Sequence, residues 1–254
     1  MKYEITQQQK EEFESCLFKL QNLINNLKEK EQSTSYPVAN SKYVYFSDAG
    51  HGAIDLNTNL YTTNGKFWEH KGFDLHLGNK FLEGVSNRII ESKVIELCKQ
   101  NGIEYVRLFH EYLDTSLVER VATANHHHRT IKKGFGISIH SNAANTKARG
   151  WCVYTSRGQT QSDKLADFCY LKHKESLEKS YGVQMRSEQW LDKDYDYEAN
   201  FYMISKTIMP FILTENLFFD NVEDMKLLMN EDVQNRIAQS HFDTIVWGMG
   251  NLEL

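Results

Sequence analysis

"YVYFSDAGHGAID", residues 43–55, begins as a β-prone run and then places a histidine between two glycines. The aromatic and β-branched residues up to Asp48 predict a strand that ends where the small residues begin. His51 then lies at the carboxyl end of this strand. Gly50 and Gly52 are predicted to leave room beside its ring for a metal ion and a bulky substrate. A metal site at His51 requires that other polar side chains lie at the ends of neighbouring strands.

The chain that follows alternates strand and helix patterns as far as its C-terminus. The patterns predict strands at 43–48, 104–109, 134–140, 150–156 and 210–215, helices at 87–102, 116–128 and 161–179, and one or two terminal helices over about 222–249. Such alternation is typical of the α/β class, with a mostly parallel twisted sheet and helices on both faces. Gly102 is predicted to end the first of these helices as its C-cap.

Residues 1–31 differ from this body. Apolar side chains from Phe13 to Leu27 recur at spacings of three and four, which predicts an N-terminal amphipathic helical arm. Residues 31–41 combine Ser, Thr, Pro and Asn, which predicts a linker at 32–39, so that residues 40–254 form the globular body. We expect the arm to dock on the body or to mediate self-association.

Composition excludes several classes of protein. The 254 residues carry 29 Lys and Arg against 34 Asp and Glu, well mixed, so no electrostatic footprint for nucleic acid is present. No apolar run is long enough for a transmembrane segment, and no secretory signal is recognisable at the N-terminus, which predicts synthesis in the cytoplasm. Four cysteines without CxxC spacing are predicted to be reduced thiols.

Three of the predicted strands end in a polar side chain that is capable of chemistry: His51, His140 and Glu215. In open α/β sheets, ligands bind beyond the carboxyl ends of the strands, so these side chains can meet in one cleft. Glu83 precedes the first helix of the body. Two histidines and a carboxylate are a catalytic zinc set that leaves a position for water, and a further carboxylate can then move the proton.

Five stretches, in chain order, carry a resemblance to a known family: "DAGHG" (48–52), "LEGVSNRI" (82–89), "LVERVATAN" (117–125), "FGISIHSNA" (135–143) and "ILTENLFFDNVEDMKLL" (212–228). Together they resemble the zinc-dependent N-acetylmuramoyl-L-alanine amidases of the amidase-3 type. These enzymes cut the amide between muramic acid and the first alanine of the peptidoglycan stem peptide. The resemblance covers about residues 43–248 and none of the arm.

Carried over by position, the resemblance implies zinc ligation by His51, Glu83 and His140, and a catalytic role for Glu215. It also implies that residues 40–254 are a zinc amidase domain acting on peptidoglycan. Without a signal peptide, a phage or prophage-type endolysin is the expected setting, reaching the cell wall after release.

Three further positions match the family. Arg120 and Asn125 match its Arg…Ala-Asn helix and are predicted to support the site from beneath. Asn221 falls where the family carries an asparagine at the start of its next helix.

Residues 56–80 form an insertion relative to compact members of the family. They offer other possible ligands that compete with Glu83, namely Glu69, His70, Asp74 and His76. They also offer aromatic side chains, which are predicted to line a substrate groove by stacking: Tyr61, Phe67 and Trp68.

His126, His127 and His128 form the most conspicuous run of metal-binding residue types, but we predict a solvated helix end there. Consecutive helical residues point about 100° apart, so three in a row cannot share one ion from a single face. Two other functions stay open from the sequence. One is a zinc peptidase that cuts within the stem peptide, and the other is a catalytically silent peptidoglycan-binding protein.

Overall fold

The computed structural model describes residues 41–188 and 193–254. The predicted arm (1–31) and linker (32–39) lie outside the described residues and stay predictions. Among the described helices, none combines the length and apolarity that a membrane span requires.

A six-stranded sheet forms the centre of the body, with the order β4-β1-β5-β8-β6-β7. Its strands, and those of a separate antiparallel pair (β2 and β3), are β1 (Val44–Ala49), β2 (Phe67–Glu69), β3 (Lys80–Leu82), β4 (Tyr105–Arg107), β5 (Gly134–Asn142), β6 (Cys152–Thr155), β7 (Tyr197–Glu198) and β8 (Phe211–Phe218). Strands β4, β1, β5 and β8 run parallel, and β6 pairs antiparallel with β8. The prediction of a mostly parallel sheet is therefore confirmed. The β2–β3 pair lies in the insertion, where no strand was predicted.

The helices are α1 (Glu83–Gln100), α2 (Leu117–Thr130), α3 (Gln161–His173), α4 (Lys179–Tyr181), α5 (Tyr202–Lys206), α6 (Val222–Leu228) and α7 (Glu231–Asn251). Helix α1 begins at Glu83 rather than at residue 87, because β3 ends at Leu82 and leads straight into it. The long helix predicted for 161–179 is interrupted by a π-helical turn, Lys174–Glu178. Gly102 follows α1 with φ +67°, as the predicted C-cap requires.

Alternate residues of β1 face opposite layers of helices. Ser47 points to one layer, where its Oγ donates a 2.7 Å hydrogen bond to Glu91 of α1. Asp48 points to the other, where Arg120 of α2 donates to its Oδ1 at 2.5 Å. Phe46 belongs, on that second side, to an apolar cluster that includes side chains of α2 and α5. Helices therefore cover both faces, as the sequence predicted.

Cys98, Cys152 and Cys169 are buried and free. Burial raises the pKa of each thiol to about 12, so all three stay protonated at neutral pH. They are free thiols, as predicted, and Cys16 lies outside the described residues.

Candidate active site

The ends of β1 and β5 bring two histidines to the start of α1. His51 Nε2 lies 3.2 Å from Glu83 Oε2, and His140 Nδ1 lies 3.1 Å from Glu83 Oε1. The two imidazole rings are perpendicular, with their centroids 4.9 Å apart. One ligand atom from each of the three residues lies within 4.8 Å of the others, so the structure brings together the three residues that the sequence singled out.

Glu83 is the electrostatic centre of this group, with a side chain that is only 2% exposed. Burial by itself would raise its pKa, but the adjacent imidazoles of His140 and His51 outweigh burial and bring the pKa below its usual range. Burial lowers the pKa of His51. For His140, the hydrogen bond and charge of Glu83 outweigh burial and raise the pKa. The carboxylate is thus ionised between two histidine rings.

Gly50 and Gly52 serve purposes other than the predicted one. A Cβ on Gly50 would lie 2.1 Å from Cε1 of His140, so its hydrogen makes room for that ring itself. A Cβ on Gly52 would lie 2.0 Å from Oγ1 of Thr62, which belongs to the insertion. The two glycines allow other parts of the protein to approach His51 closely, and this corrects the prediction that they open space for a substrate.

His51 itself has a left-handed backbone, with φ +65°, which is unfavourable for a residue with a Cβ. Two buried arginines hold this conformation through its carbonyl oxygen, Arg88 Nη2 at 2.7 Å and Arg120 Nη2 at 3.1 Å. Arg120 also donates to Ala49 O and Asp48 Oδ1, so it supports the site from beneath. The role of Arg88 was missed by the sequence reasoning, although it lies in one of the quoted family motifs.

Glu215 is the residue of β8 that pairs in register with His140 of β5. The shared parallel edge therefore places the second carboxylate next to the three-residue group. Its Oε2 is shielded from solvent and has no hydrogen-bond partner. Burial, together with the charge of Glu83, raises the pKa of Glu215 to about 8, against the opposing effect of His140.

The three residues and Glu215 open into a cleft of about 290 Å³. Aromatic side chains on its wall come from Phe201 and Tyr202 at the start of α5 and from Phe219, which follows β8. The insertion contributes a cation instead of rings, because Lys66 Nζ lies 3.8 Å from Glu83 Oε2.

The predicted aromatic groove of the insertion is not part of this lining. Tyr61 uses its hydroxyl to accept a 2.9 Å hydrogen bond from Gly84 N at the start of α1. Phe67 stacks beneath the ammonium group of Lys80, and Trp68 is 42% exposed. No local sequence feature distinguished these rings from those of residues 201, 202 and 219.

None of the four competing residues of the insertion joins the group around Glu83. Glu69 pairs with Lys80, and His70 Nε2 lies 2.8 Å from the carbonyl oxygen of Phe219. His76 Nδ1 accepts a 2.9 Å hydrogen bond from Leu82 N, and Asp74 is exposed.

The histidine run lies in the last turns of α2, as predicted, but only His126 is exposed, and His127 and His128 are half-buried. His127 packs edge-on against Phe46, and His128 Nδ1 lies 3.1 Å from Gly134 N. His126 contacts Thr130 one turn along the same helix. The three rings therefore have separate partners and form no shared group.

Asn125 and Asn221 have structural contacts. Asn125 binds the backbone at Lys206 and Ile208, which ties α2 to the segment before β8 rather than supporting the site from beneath. Asn221 caps α6 by accepting from Glu223 N and Asp224 N, as its predicted position at a helix start requires.

Comparison with known proteins gives one family and several relatives. The chain is 27% identical over 213 residues to the endolysin of Bacillus phage SPP1, an alignment that covers 81% of this chain and 65% of that protein. The chain thus spans slightly less than two thirds of the length of this curated relative.

Solved structures with the same fold include the N-acetylmuramoyl-L-alanine amidase from Clostridium difficile 630. Its TM-score is 0.64 at 23% identity, over 84% of this chain and 100% of that one. Ami1 from Mycobacterium smegmatis has a TM-score of 0.63 at 15% identity, over 86% of this chain and 100% of that one. The family model described as Amidase_3, N-acetylmuramoyl-L-alanine amidase, matches residues 47–246. Because that match covers most of the chain, the chain belongs to the Amidase_3 family.

Proposed function

We propose that this protein is a zinc-dependent peptidoglycan hydrolase that cleaves the amide between N-acetylmuramic acid and the L-alanine of the stem peptide. The observation that carries this proposal is the convergence of His51, Glu83 and His140 next to Glu215. Membership of the Amidase_3 family supports the choice of bond.

The residues present fit a zinc ion. His51 Nε2 is shielded from water and faces Glu83 Oε2 at 3.2 Å, and Glu83 is buried between two imidazoles. Two histidine nitrogens and one carboxylate form a common ligand set of hydrolytic zinc, which keeps one position open. We infer that His51, Glu83 and His140 hold the ion. When bound, zinc supplies an electrophile that polarises the scissile carbonyl and lowers the pKa of water.

Glu215 is assigned the proton transfers. Its free Oε2 faces no protein donor, so it is available to accept a proton from the attacking water. The same oxygen then delivers the proton to the amide nitrogen that leaves as the amine of alanine. Burial raises the pKa of Glu215, which favours the protonated form that delivers a proton to the departing amine.

The cleft has the chemistry to hold a muramoyl peptide. Phe201 and Tyr202 are exposed on its wall, where aromatic faces can pack on sugar or peptide. Lys66 places a positive charge on the same wall, near the reacting groups. We infer that these three side chains contact the substrate on either side of the bond that is cut.

The similarity to a phage endolysin supports action on the cell wall after release from the cell that makes the protein. The N-terminal arm is proposed to dock on the catalytic body or to mediate self-association.

Digestion of purified cell wall tests the proposal directly. We expect soluble stem peptides that begin with a free L-alanine amine, identified by mass spectrometry, and one zinc ion per chain by elemental analysis. Glu215→Gln should keep its zinc and lose turnover by roughly 10²–10⁴-fold. Glu69→Gln removes an exposed carboxylate of the insertion and serves as the matched control, with turnover unchanged.

Other products would separate the alternatives. Peptides cut internally would identify a peptidase that uses the same ion. Binding to cell wall without zinc or soluble product would identify a catalytically silent peptidoglycan-binding protein. A Glu215→Gln variant that digests the wall at the wild-type rate would show that the proton-transfer assignment is wrong.

A further inference from the structure

A second group of acidic side chains lies outside the cleft, at the start of α3 and in the segment before β7. Asp163, Asp194 and Asp196 are all buried, at 5%, 7% and 1% exposure. One carboxylate oxygen from each lies within 4.8 Å of the others. Three carboxylates are thus gathered in a part of the protein that the proposed reaction does not use.

The hydrogen bonds of these carboxylates leave part of their capacity unused. Asp194 Oδ2 accepts a 3.0 Å hydrogen bond from Gln159, and Asp196 Oδ2 accepts one from the hydroxyl group of Thr155. The other oxygen of each, Oδ1, is shielded from water and has no partner. A buried acceptor without a donor is costly, so both atoms require an explanation.

Asp163 caps a helix, a structural role that Asp194 and Asp196 do not share. It accepts from Thr160 N and completes a capping box at the N-terminus of α3. The helix dipole favours its negative charge there. Capping therefore accounts for Asp163 but leaves the free oxygens of Asp194 and Asp196 unexplained.

Among the residues that the structure describes, no cationic side chain pairs with the group. Across residues 41–188 and 193–254, no lysine, arginine or histidine forms an ion pair with any of the three carboxylates. Burial, together with the charges of Asp194 and Asp163, raises the pKa of Asp196 to about 7. Negative charge is therefore concentrated here without a counter-charge from the described residues.

We propose that Asp163, Asp194 and Asp196 hold a hard divalent cation, with Ca²⁺ as the matching ion. The donors are oxygen atoms only, which Ca²⁺ prefers and which differ from the nitrogen-rich set around Glu83. The unpartnered Oδ1 atoms supply ligands, and water or carbonyl oxygens complete the shell.

The ion would join two segments that are distant in sequence. Asp163 belongs to α3, whereas Asp194 and Asp196 lead into β7 (Tyr197–Glu198), an edge strand of the sheet. The chain continues from β7 to Phe201 and Tyr202 on the wall of the catalytic cleft. A cation at the aspartates therefore anchors the segment that carries this wall, and the inference holds whether or not the proposed reaction is correct.

Thermal unfolding of the zinc-loaded protein tests the site, with the zinc concentration held constant and Ca²⁺ varied. We expect Ca²⁺ at about a hundred times its Kd to raise the Tm of the wild type by roughly 5–10 °C. Asp196→Asn and Asp194→Asn should lose this shift. Asp74→Asn, which removes an exposed carboxylate of the insertion, is the matched control and should keep it.

Terbium luminescence gives a measurement on the unaltered protein. Tyr195 lies between Asp194 and Asp196 in the sequence, so it should sensitise the luminescence of bound Tb³⁺. Ca²⁺ should displace the Tb³⁺ and reduce this emission. The proposal is overturned if Ca²⁺ neither shifts the Tm of the wild type nor displaces Tb³⁺, or if Asp196→Asn responds like Asp74→Asn. If neither ligand variant folds, a crystal structure of the wild type grown with Ca²⁺ decides, by the presence or absence of an ion among the three carboxylates.

Discussion

Two groups of buried carboxylates show how neighbouring side chains set the chemistry of a site. Glu83 lies between two imidazoles at 3.1 and 3.2 Å, whereas Asp196 lies among other aspartates and accepts a hydrogen bond from the hydroxyl group of Thr155. Nitrogen donors select zinc, and oxygen donors alone select a hard cation. The comparison teaches that burial creates the need for positive charge, while the donor atoms decide which cation fits.

The largest expected effect is a loss of zinc binding that leaves the response to Ca²⁺ unchanged, which distinguishes the two carboxylate groups by the metal that each binds. Glu83→Gln removes a proposed zinc ligand, so zinc affinity should fall by more than the roughly 10–100-fold that loss of an outer-shell partner costs. Elemental analysis after dialysis measures the loss, and the Tm shift caused by Ca²⁺ should be unchanged. If Glu83→Gln retained one zinc ion per chain after dialysis, Glu83 would not be a zinc ligand.

Gly50→Ala tests the crowded geometry of the histidine group. The added methyl group must displace the ring of His140, and a displacement of about 1 Å at a reacting centre costs on the order of 10²-fold in kcat/KM. Gly250→Ala, in α7 with open space around it, is the matched control and should keep full activity. Equal activity of the two variants would contradict the close approach of Gly50 and His140.

Asp48 adds a third kind of buried carboxylate to the comparison, one that is neutralised by an arginine. Asp48→Asn removes the buried 2.5 Å partner of Arg120 and leaves only the longer 3.4 Å contact with the more exposed Asp114, so the free energy of unfolding should fall by about 3–5 kcal/mol in a denaturant titration. Glu104→Gln breaks an exposed pair with Lys132 and should cost less than about 1 kcal/mol. Similar losses in the two variants would show that burial does not govern the strength of these pairs.

The smallest expected effect is a pH dependence of the aspartate group. A carboxyl group with a folded pKa of about 7 and a usual value of 3.8 binds more protons in the folded state between these pH values. Stability of the calcium-free protein should therefore fall by a few degrees in Tm as the pH rises from about 5 to 8.

Asp196→Asn is the control, because its side chain does not titrate and the variant should lack the fall in Tm that Asp196 causes. Saturating Ca²⁺ should also abolish this fall in the wild type. A wild-type profile that matches the variant throughout would contradict the charge crowding around Asp196.

Much of the fold and of the candidate site could be predicted because the information is local. An apolar β-prone run that reaches a polar residue indicates the carboxyl-terminal part of a strand to within a few residues, although β5 continues to Asn142 and β8 to Phe218 beyond the predicted ends at 140 and 215. His140 and Glu215 were placed in this way, and their register across β5 and β8 brings them side by side. His51 followed from the same reasoning on β1.

Other features could not be read locally, because they depend on contacts between distant segments. The wall of the cleft comes from Phe201 and Tyr202, and the aromatic residues of the insertion pack elsewhere. The purpose of Gly50 is set by the ring of His140, which nothing next to it in the chain reveals. Acidic residues in a polar stretch such as 193–198 predict exposure to solvent, and only tertiary packing buries them.

The sequence by itself determined the class of fold, the strands that carry His51, His140 and Glu215 in their carboxyl-terminal halves or just beyond, and the family motifs around them. Hydrophobic periodicity and turn residues act within a few positions of the chain, so they can be recognised without coordinates. Only the tertiary structure decided which carboxylates are buried together and which side chains neutralise them. The strength of an electrostatic interaction depends on the distance between the charged groups in space. The sequence separation of Asp163 and Asp196 does not reveal that their carboxylates lie close together.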